Sequence, residues 1–144
     1  MNIKIFADGA DLVKMRELDR ACPVIAGFTT NPTLMKKAGV TDYRAFAREA
    51  LEIAVGRPVS FEVVADDFAE MRRQAHEIAS WGPNAYVKIP VTDTRGNSSV
   101  PLLRDLTAAG VRLNVTAMFT AAQAAAVLDA VEVWPGSVVL SLFA

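Results

Sequence analysis

Six short runs rich in Val, Ile, Phe and Thr recur along this chain, and a stretch with helical spacing separates each from the next. The runs are residues 3–8 (IKIFAD), 25–30 (IAGFTT), 59–64 (VSFEVV), 85–91 (AYVKIPV), 111–117 (VRLNVTA) and 137–143 (SVVLSLF). β-Branched and aromatic residues suit a pleated surface, so each run is expected to be a strand. Between them, residues 41–54 align Tyr43, Phe46, Ala47, Ala50, Leu51 and Ala54 on one stripe, and residues 67–80 align Phe68, Met71, Ala75 and Ile78. That is the period of an amphipathic helix. Residues 12–18, 99–110 and 120–130 are expected helices too. Thr41 is the expected N-cap of the 41–54 helix, and Asp67/Glu70 and Thr120/Gln123 have capping-box spacing. Pro101 sits in a permissible first turn and Gly110 at the expected stop.

Strand–helix alternation implies parallel strands joined by helical crossovers. Two α/β architectures compete: an open doubly wound sheet and a (β/α)8 TIM barrel. The first strand–helix turn, ADGADL, lacks the G-x-G-x-x-G pattern, and there is no Walker A motif. Side-chain parity argues for the barrel. Alternate residues of a strand face the same way. Lys4, Phe6 and Asp8 share a face, as do Ser60, Glu62 and Val64; Tyr86, Lys88 and Pro90; Arg112, Asn114 and Thr116; and Val139, Ser141 and Phe143. The opposite faces are apolar and belong under helices. An open parallel sheet is covered on both faces and should read as continuous Val, Ile and Leu. A barrel lets the polar faces meet, so Asp8, Asn31, Glu62, Lys88, Asn114, Thr116 and Ser141 are expected near its carboxyl end. Residues 1–144 are expected to form a single partial TIM-barrel domain with about six of the eight strand–helix units.

Composition narrows the function classes. The chain is 52% hydrophobic and 22% charged, with a net charge of −1. That offers no electrostatic case for nucleic acid or an anionic membrane. No run of about 18 apolar residues suggests a spanning helix, and the acidic residues of MNIKIFADGAD come too early for a signal peptide. The single cysteine, Cys22, excludes an internal disulfide, fits a reducing cytoplasm and is expected to be a buried small hydrophobe. His76 is the one histidine and is expected on the surface, so no zinc site is anticipated. Asp66 and Asp67 read as helix-start residues, Met15, Met35, Met71 and Met118 as core, Lys36, Lys37, Arg72 and Arg73 as solvated helix faces. Residues 94–99 read as a turn whose amides could also hold an anion.

Lys88 is the residue that needs a reason. An ammonium group inside an apolar strand is costly unless compensated. A structural ion pair is one explanation. The other is nucleophilic catalysis: a neutral lysine amine attacks a ketone to give a Schiff base. The iminium is an electron sink, so a neighbouring C–C bond can break or form. Asp8 and Glu62 could carry the protons, Thr116 could hold a water, and Asn31 and Asn114 could bind sugar hydroxyls. This is class I aldolase or transaldolase chemistry, needing neither metal nor organic cofactor.

The segments FADGADL, GFTTNPTL, VSFEVV, YVKIPVT and LNVTAMFTAAQA, in that order, resemble the transaldolase family, including its short branch with fructose-6-phosphate aldolases. The resemblance covers residues 3–144. It implies that Lys88 forms the Schiff base, that Asp8 handles the aldol hydroxyl proton, and that Glu62 and Thr116 work through a water. It implies substrate contacts for Thr30, Asn31, Asn114, Ser141 and Phe143. Glu62 and Phe143 look transaldolase-like, where the pure aldolases tend to show Gln and Tyr; the expected reaction is transfer of a dihydroxyacetone unit between sugar phosphates. Fructose-6-phosphate cleavage is the alternative. Other readings are a non-catalytic partial barrel that acts as an assembly or binding module, and an open-sheet ligand-binding domain. The family's next residues, beyond Ala144, include an arginine that grips the sugar phosphate. A fragment of a longer enzyme is therefore expected, with completion by self-association as the alternative; the partners expected are a sugar-phosphate substrate and further copies in a homo-oligomer.

Overall fold

The structure is a computed structural model and describes residues 3–143; Met1, Asn2 and Ala144 lie outside the described residues. Its elements follow the chain as β1 (Ile5–Asp8), α1 (Leu12–Ala21), β2 (Ile25–Thr29), α2 (Pro32–Lys37), α3 (Tyr43–Ala54) and β3 (Val59–Glu62). Then come α4 (Phe68–Ala79), β4 (Ala85–Pro90), α5 (Val100–Ala108), β5 (Leu113–Met118), α6 (Ala121–Ala130) and β6 (Val138–Leu142). The described chain divides into two compact units, one holding the residues through Glu62 with Ser80–Ala85, the other Val63–Ala79 with the residues from Tyr86 on.

In the first unit the strands lie in the order β1-β2-β3, and in the second β4-β5-β6. The pairs β1/β2, β2/β3, β4/β5 and β5/β6 are all parallel. Neither unit shows the reversal of strand order that marks a doubly wound sheet. The fold is of the (β/α)8 TIM-barrel type, with six strand-bearing repeats among the described residues.

The first unit is organised around Phe61, which is fully buried on β3. Tyr43, Phe46 and Trp81 meet its ring edge to face at centroid distances of 6.2, 6.5 and 5.5 Å. This is the geometry that ring quadrupoles favour. Arg57 ties three elements together. Its guanidinium pairs with Asp19 of α1, donates to Ile25 O at 3.1 Å and to Ala54 O at 2.9 Å, and lies over the Phe28 ring. Gly27 permits the close approach of β1 and β2. A Cβ there would fall 2.5 Å from Phe6 Cε1 and 2.6 Å from the Pro58 carbonyl oxygen.

The second unit buries Met71, Leu103, Leu106, Leu113, Val115 and Val127. Arg72 of α4 pairs with Asp105 of α5 at 2.8 Å. The Thr120/Gln123 capping box at the start of α6 is present as expected, with Gln123 N donating to Thr120 Oγ1 at 3.2 Å. Met15, Met35, Met71 and Met118 are all core, and His76 is exposed.

Several local expectations are corrected. Asp42, not Thr41, caps α3, its carboxylate accepting from Ala45 N at 2.9 Å. An ionised carboxylate beside the positive end of the helix outcompetes a hydroxyl. Asp67 does cap α4, accepting from Ala69 N and Glu70 N, but Glu70 turns to Arg73 instead of closing a box. Asp66 does not serve its own helix; it binds Thr94 in the loop after β4. Pro32–Lys37 forms a short helix capped by Asn31. Cys22 is half-buried, because it sits at the C-cap of α1 and not within the core. Arg72 and Arg73 lie on a solvated helix face as expected, and each also makes a surface ion pair. The apolar face of β1 is not fully covered: Ile5 is 51% exposed, as is much of Leu142 on β6. Among the described residues each of these strands has one strand neighbour, so half its flank is left open.

Candidate active site

In the first unit the polar parity set begins with Asp8, the last residue of β1, which is exposed. Asp8 pairs in register with Thr29, and Thr29 with Ser60. The three side chains therefore stand in one row across the strands. The Thr29 hydroxyl donates to Asp8 Oδ1 at 2.7 Å, which restrains the carboxylate. Asn31, two residues beyond Thr29, accepts from Leu34 N at 2.9 Å through Oδ1. Its amide nitrogen is the end available to a ligand. Thr30 points the other way. It has no exposed surface, and its hydroxyl donates to Ser60 O at 2.9 Å.

Glu62 ends β3 and is half-buried. Its main-chain oxygen accepts from the Tyr43 hydroxyl at 2.9 Å. Burial, and then the negative charge of Glu62, push the Tyr43 phenol well above its ordinary range, so it stays a donor.

In the second unit Lys88 lies in the middle of β4 and is only 9% exposed. Its register partner on β5 is Asn114, and that of Pro90 is Thr116. Lys88, Asn114 and Thr116 thus share a face. Asn114 is buried, and Ser141 of β6 donates its Oγ proton to Asn114 Oδ1 at 2.7 Å. The Thr116 hydroxyl is buried with no hydrogen-bond partner. A buried hydroxyl without a partner is costly and is usually satisfied by water or ligand. Directly after it, Ala117 has φ +58° and the β5/β6 register shifts between Val115 and Met118. This is a bulge, a device common beside functional sites. It turns Met118 into the core and leaves Phe119 exposed, where its ring meets Phe143 edge to face at 5.5 Å. Phe143 is itself 48% exposed.

The structure therefore brings together Lys88, Asn114, Thr116 and Ser141 in one unit, and Asp8 with Thr29 and Glu62 with Tyr43 in the other. Sequence reasoning overlooks Thr29, although the two-residue period finds it, since Thr29 shares parity with Asn31. It places Tyr43 only as core; nothing local signals its bond to Glu62. It also passes over Asp93, which organises the loop after β4. Among the described residues no three His, Cys, Asp or Glu side chains are grouped to hold a metal ion, and no helix is long and apolar enough to cross a membrane.

Comparison with known proteins gives the family of the chain. The pattern that defines the Transaldolase/Fructose-6-phosphate aldolase family matches residues 5–144. A probable transaldolase of Dehalococcoides mccartyi is 38% identical over 122 residues, covering 85% of this chain and 54% of that protein. One from Streptococcus agalactiae is 38% identical over 128 residues, 89% of this chain and 56% of that protein. One from Bacillus cereus is 40% identical over 122 residues, 85% of this chain and 54% of that protein. The chain spans about half the length of the curated relatives it matches.

Proposed function

As the chain belongs to the Transaldolase/Fructose-6-phosphate aldolase family, we propose that it performs lysine Schiff-base chemistry on ketose phosphates, transferring a dihydroxyacetone unit to an acceptor aldehyde. The observation that carries this reading is Lys88, buried in mid-strand beside Asn114 and on the same face as the unpartnered Thr116 hydroxyl.

The Lys88 amine, in its neutral form, attacks the ketone carbon. The carbinolamine loses water and becomes an iminium. Asp8 takes the proton from the substrate hydroxyl; the C–C bond breaks, an aldehyde leaves, and the electron pair passes into the iminium as an enamine. The enamine then attacks the acceptor aldehyde and Asp8 returns the proton to the new hydroxyl. Water hydrolyses the iminium and frees Lys88. Glu62 and Thr116 serve the proton and water traffic of the carbinolamine steps. Asn31, Asn114 and Ser141 hold sugar hydroxyls, and Thr30 anchors the Asn31 segment to β3 through Ser60 O. Glu62 and Phe143 favour transfer over simple cleavage. The setting proposed is the cytoplasm, with the protein as a homo-oligomer, which size-exclusion chromatography tests.

Borohydride reduction of the complete protein with dihydroxyacetone or fructose 6-phosphate tests the reading. A covalent mass gain that disappears in Lys88→Met is expected. An unchanged mass in folded protein would overturn it and favour a binding module. Dependence of fructose 6-phosphate consumption on an added aldehyde separates transfer from cleavage.

A further inference from the structure

β5 changes course one residue after Thr116. Ala117 takes φ +58°, and the β5/β6 register, which pairs Val115 with Leu140, resumes with Met118 opposite Leu142. Phe143 N donates to Met118 O at 2.8 Å and carries the pairing one step further. Two rings are thereby set side by side at the carboxyl ends of neighbouring strands. Phe119 and Phe143 meet edge to face, with their centroids 5.5 Å apart and their planes at 82°.

The backbone under Phe119 is fixed. Gln123 Oε1 accepts from Phe119 N at 2.8 Å and from Thr120 N at 3.1 Å, so the capping box of α6 holds the residue that carries the ring. The side chain is nevertheless not a core group, because Phe119 is 68% exposed. What the fixed ring does is brace Phe143. That residue lies two positions beyond Ser141, whose hydroxyl reaches Asn114, the register partner of Lys88. An edge-to-face contact favours one orientation of the Phe143 ring; without it, the half-exposed side chain is free to change rotamer.

The enamine of the proposed cycle has two fates. Attack on an acceptor aldehyde makes the new C–C bond of transfer. Proton uptake at the same carbon instead gives the iminium of dihydroxyacetone, and water then hydrolyses it, which is net cleavage. Both fates use the same electron pair, so their ratio depends on how well water is kept from the intermediate. A phenyl ring has no proton to give and occupies space that water would fill.

We propose that Phe119 is a positioning residue that holds the Phe143 ring in place and so favours transfer to an aldehyde over release of dihydroxyacetone. The assignment rests on the Schiff-base reading and on the substrate contact proposed for Phe143.

Fructose 6-phosphate consumption by the complete protein, with and without an added acceptor aldehyde, gives the ratio of transfer to cleavage. Phe119→Ala should lower that ratio about threefold or more, the scale of one ring–ring contact. Phe119→Tyr keeps the ring and should stay near the parent. Phe119→Leu serves in place of Phe119→Ala if urea unfolding shows the alanine variant to be unfolded, with the same expectation. An unaltered ratio in the folded variant, or an equal fall in Phe119→Tyr, would overturn the assignment. The contact is read separately by fluorine NMR with para-fluorophenylalanine at position 143. Its resonance should move when Phe119 is truncated, and an unmoved resonance would also overturn the assignment. Absence of a borohydride-trapped adduct in the unsubstituted protein would overturn the Schiff-base reading instead, while the fluorine resonance still decides whether Phe119 positions Phe143.

Discussion

Ser141 on β6 donates its hydroxyl proton to the side-chain oxygen of Asn114 on β5 at 2.7 Å, and Asn114 is the register partner of Lys88 on β4. Side chains of three consecutive strands thus share one face. The bond fixes which end of the Asn114 amide faces the sixth strand, and so turns its NH2 group away from Ser141. Ser141→Ala should cost about 1 kcal/mol by loss of this hydrogen bond. Urea unfolding should show that loss, and under the proposed activity steady-state kinetics should show a reduced kcat, because the amide has lost one of its restraints.

Tyr43 spans the distance between the start of α3 and the end of β3, where its hydroxyl holds the Glu62 carbonyl. Tyr43→Phe keeps the ring against Phe61 and Trp81 and removes only the donor. A stability loss of about 1 kcal/mol is expected in denaturant titration. A far larger loss would mean that the ring packing, not the hydroxyl, had been disturbed.

Gly27 is a packing requirement. The atom that a Cβ would meet at 2.6 Å is a backbone oxygen, which cannot swing aside as a side chain can. Gly27→Ala should destabilise the chain by about 1–3 kcal/mol or more, as overpacking does. Thermal unfolding measures it, and a midpoint equal to that of the parent would refute the close approach of β2 to the Pro58 carbonyl at the start of β3.

Asp93 should make stability depend on acid. The Asn97 side-chain amide, with backbone N–H groups of Asn97 and Arg95 and the Arg95 charge, holds its carboxyl below the ordinary range against the opposing effect of burial. A carboxyl so lowered in the folded chain takes up its proton more readily when unfolded. Its stabilisation is complete above about pH 4, the unfolded value, and is lost as pH falls through the lower folded value. Asp93→Asn should be less stable than the parent at neutral pH, and the gap should narrow below about pH 4. Urea midpoints across that range would show it; a gap independent of pH would contradict the assignment.

Much of this was legible in the order of residues, because strand and helix periods are local. The alternation predicts six strands and their helical crossovers, and parity alone puts Lys88, Asn114 and Thr116 on one face. The capping box at Thr120 and Gln123 lies within four residues and could be read directly. Motifs such as TTNP and VKIP carried the family for the same reason.

Tertiary structure decided what no local period encodes. That Thr29 restrains Asp8, that Tyr43 supports Glu62, and that Ser141 orients Asn114 are contacts 21, 19 and 27 residues apart. They exist only once parallel strands have taken a register. The bulge at Ala117 broke the parity that held up to Thr116, and it did so through a backbone dihedral, φ +58°, that an alanine gives no warning of adopting. Which face a side chain shares is thus written in the sequence; which neighbour it finds there depends on how distant strands align, and that is a property of the packed chain.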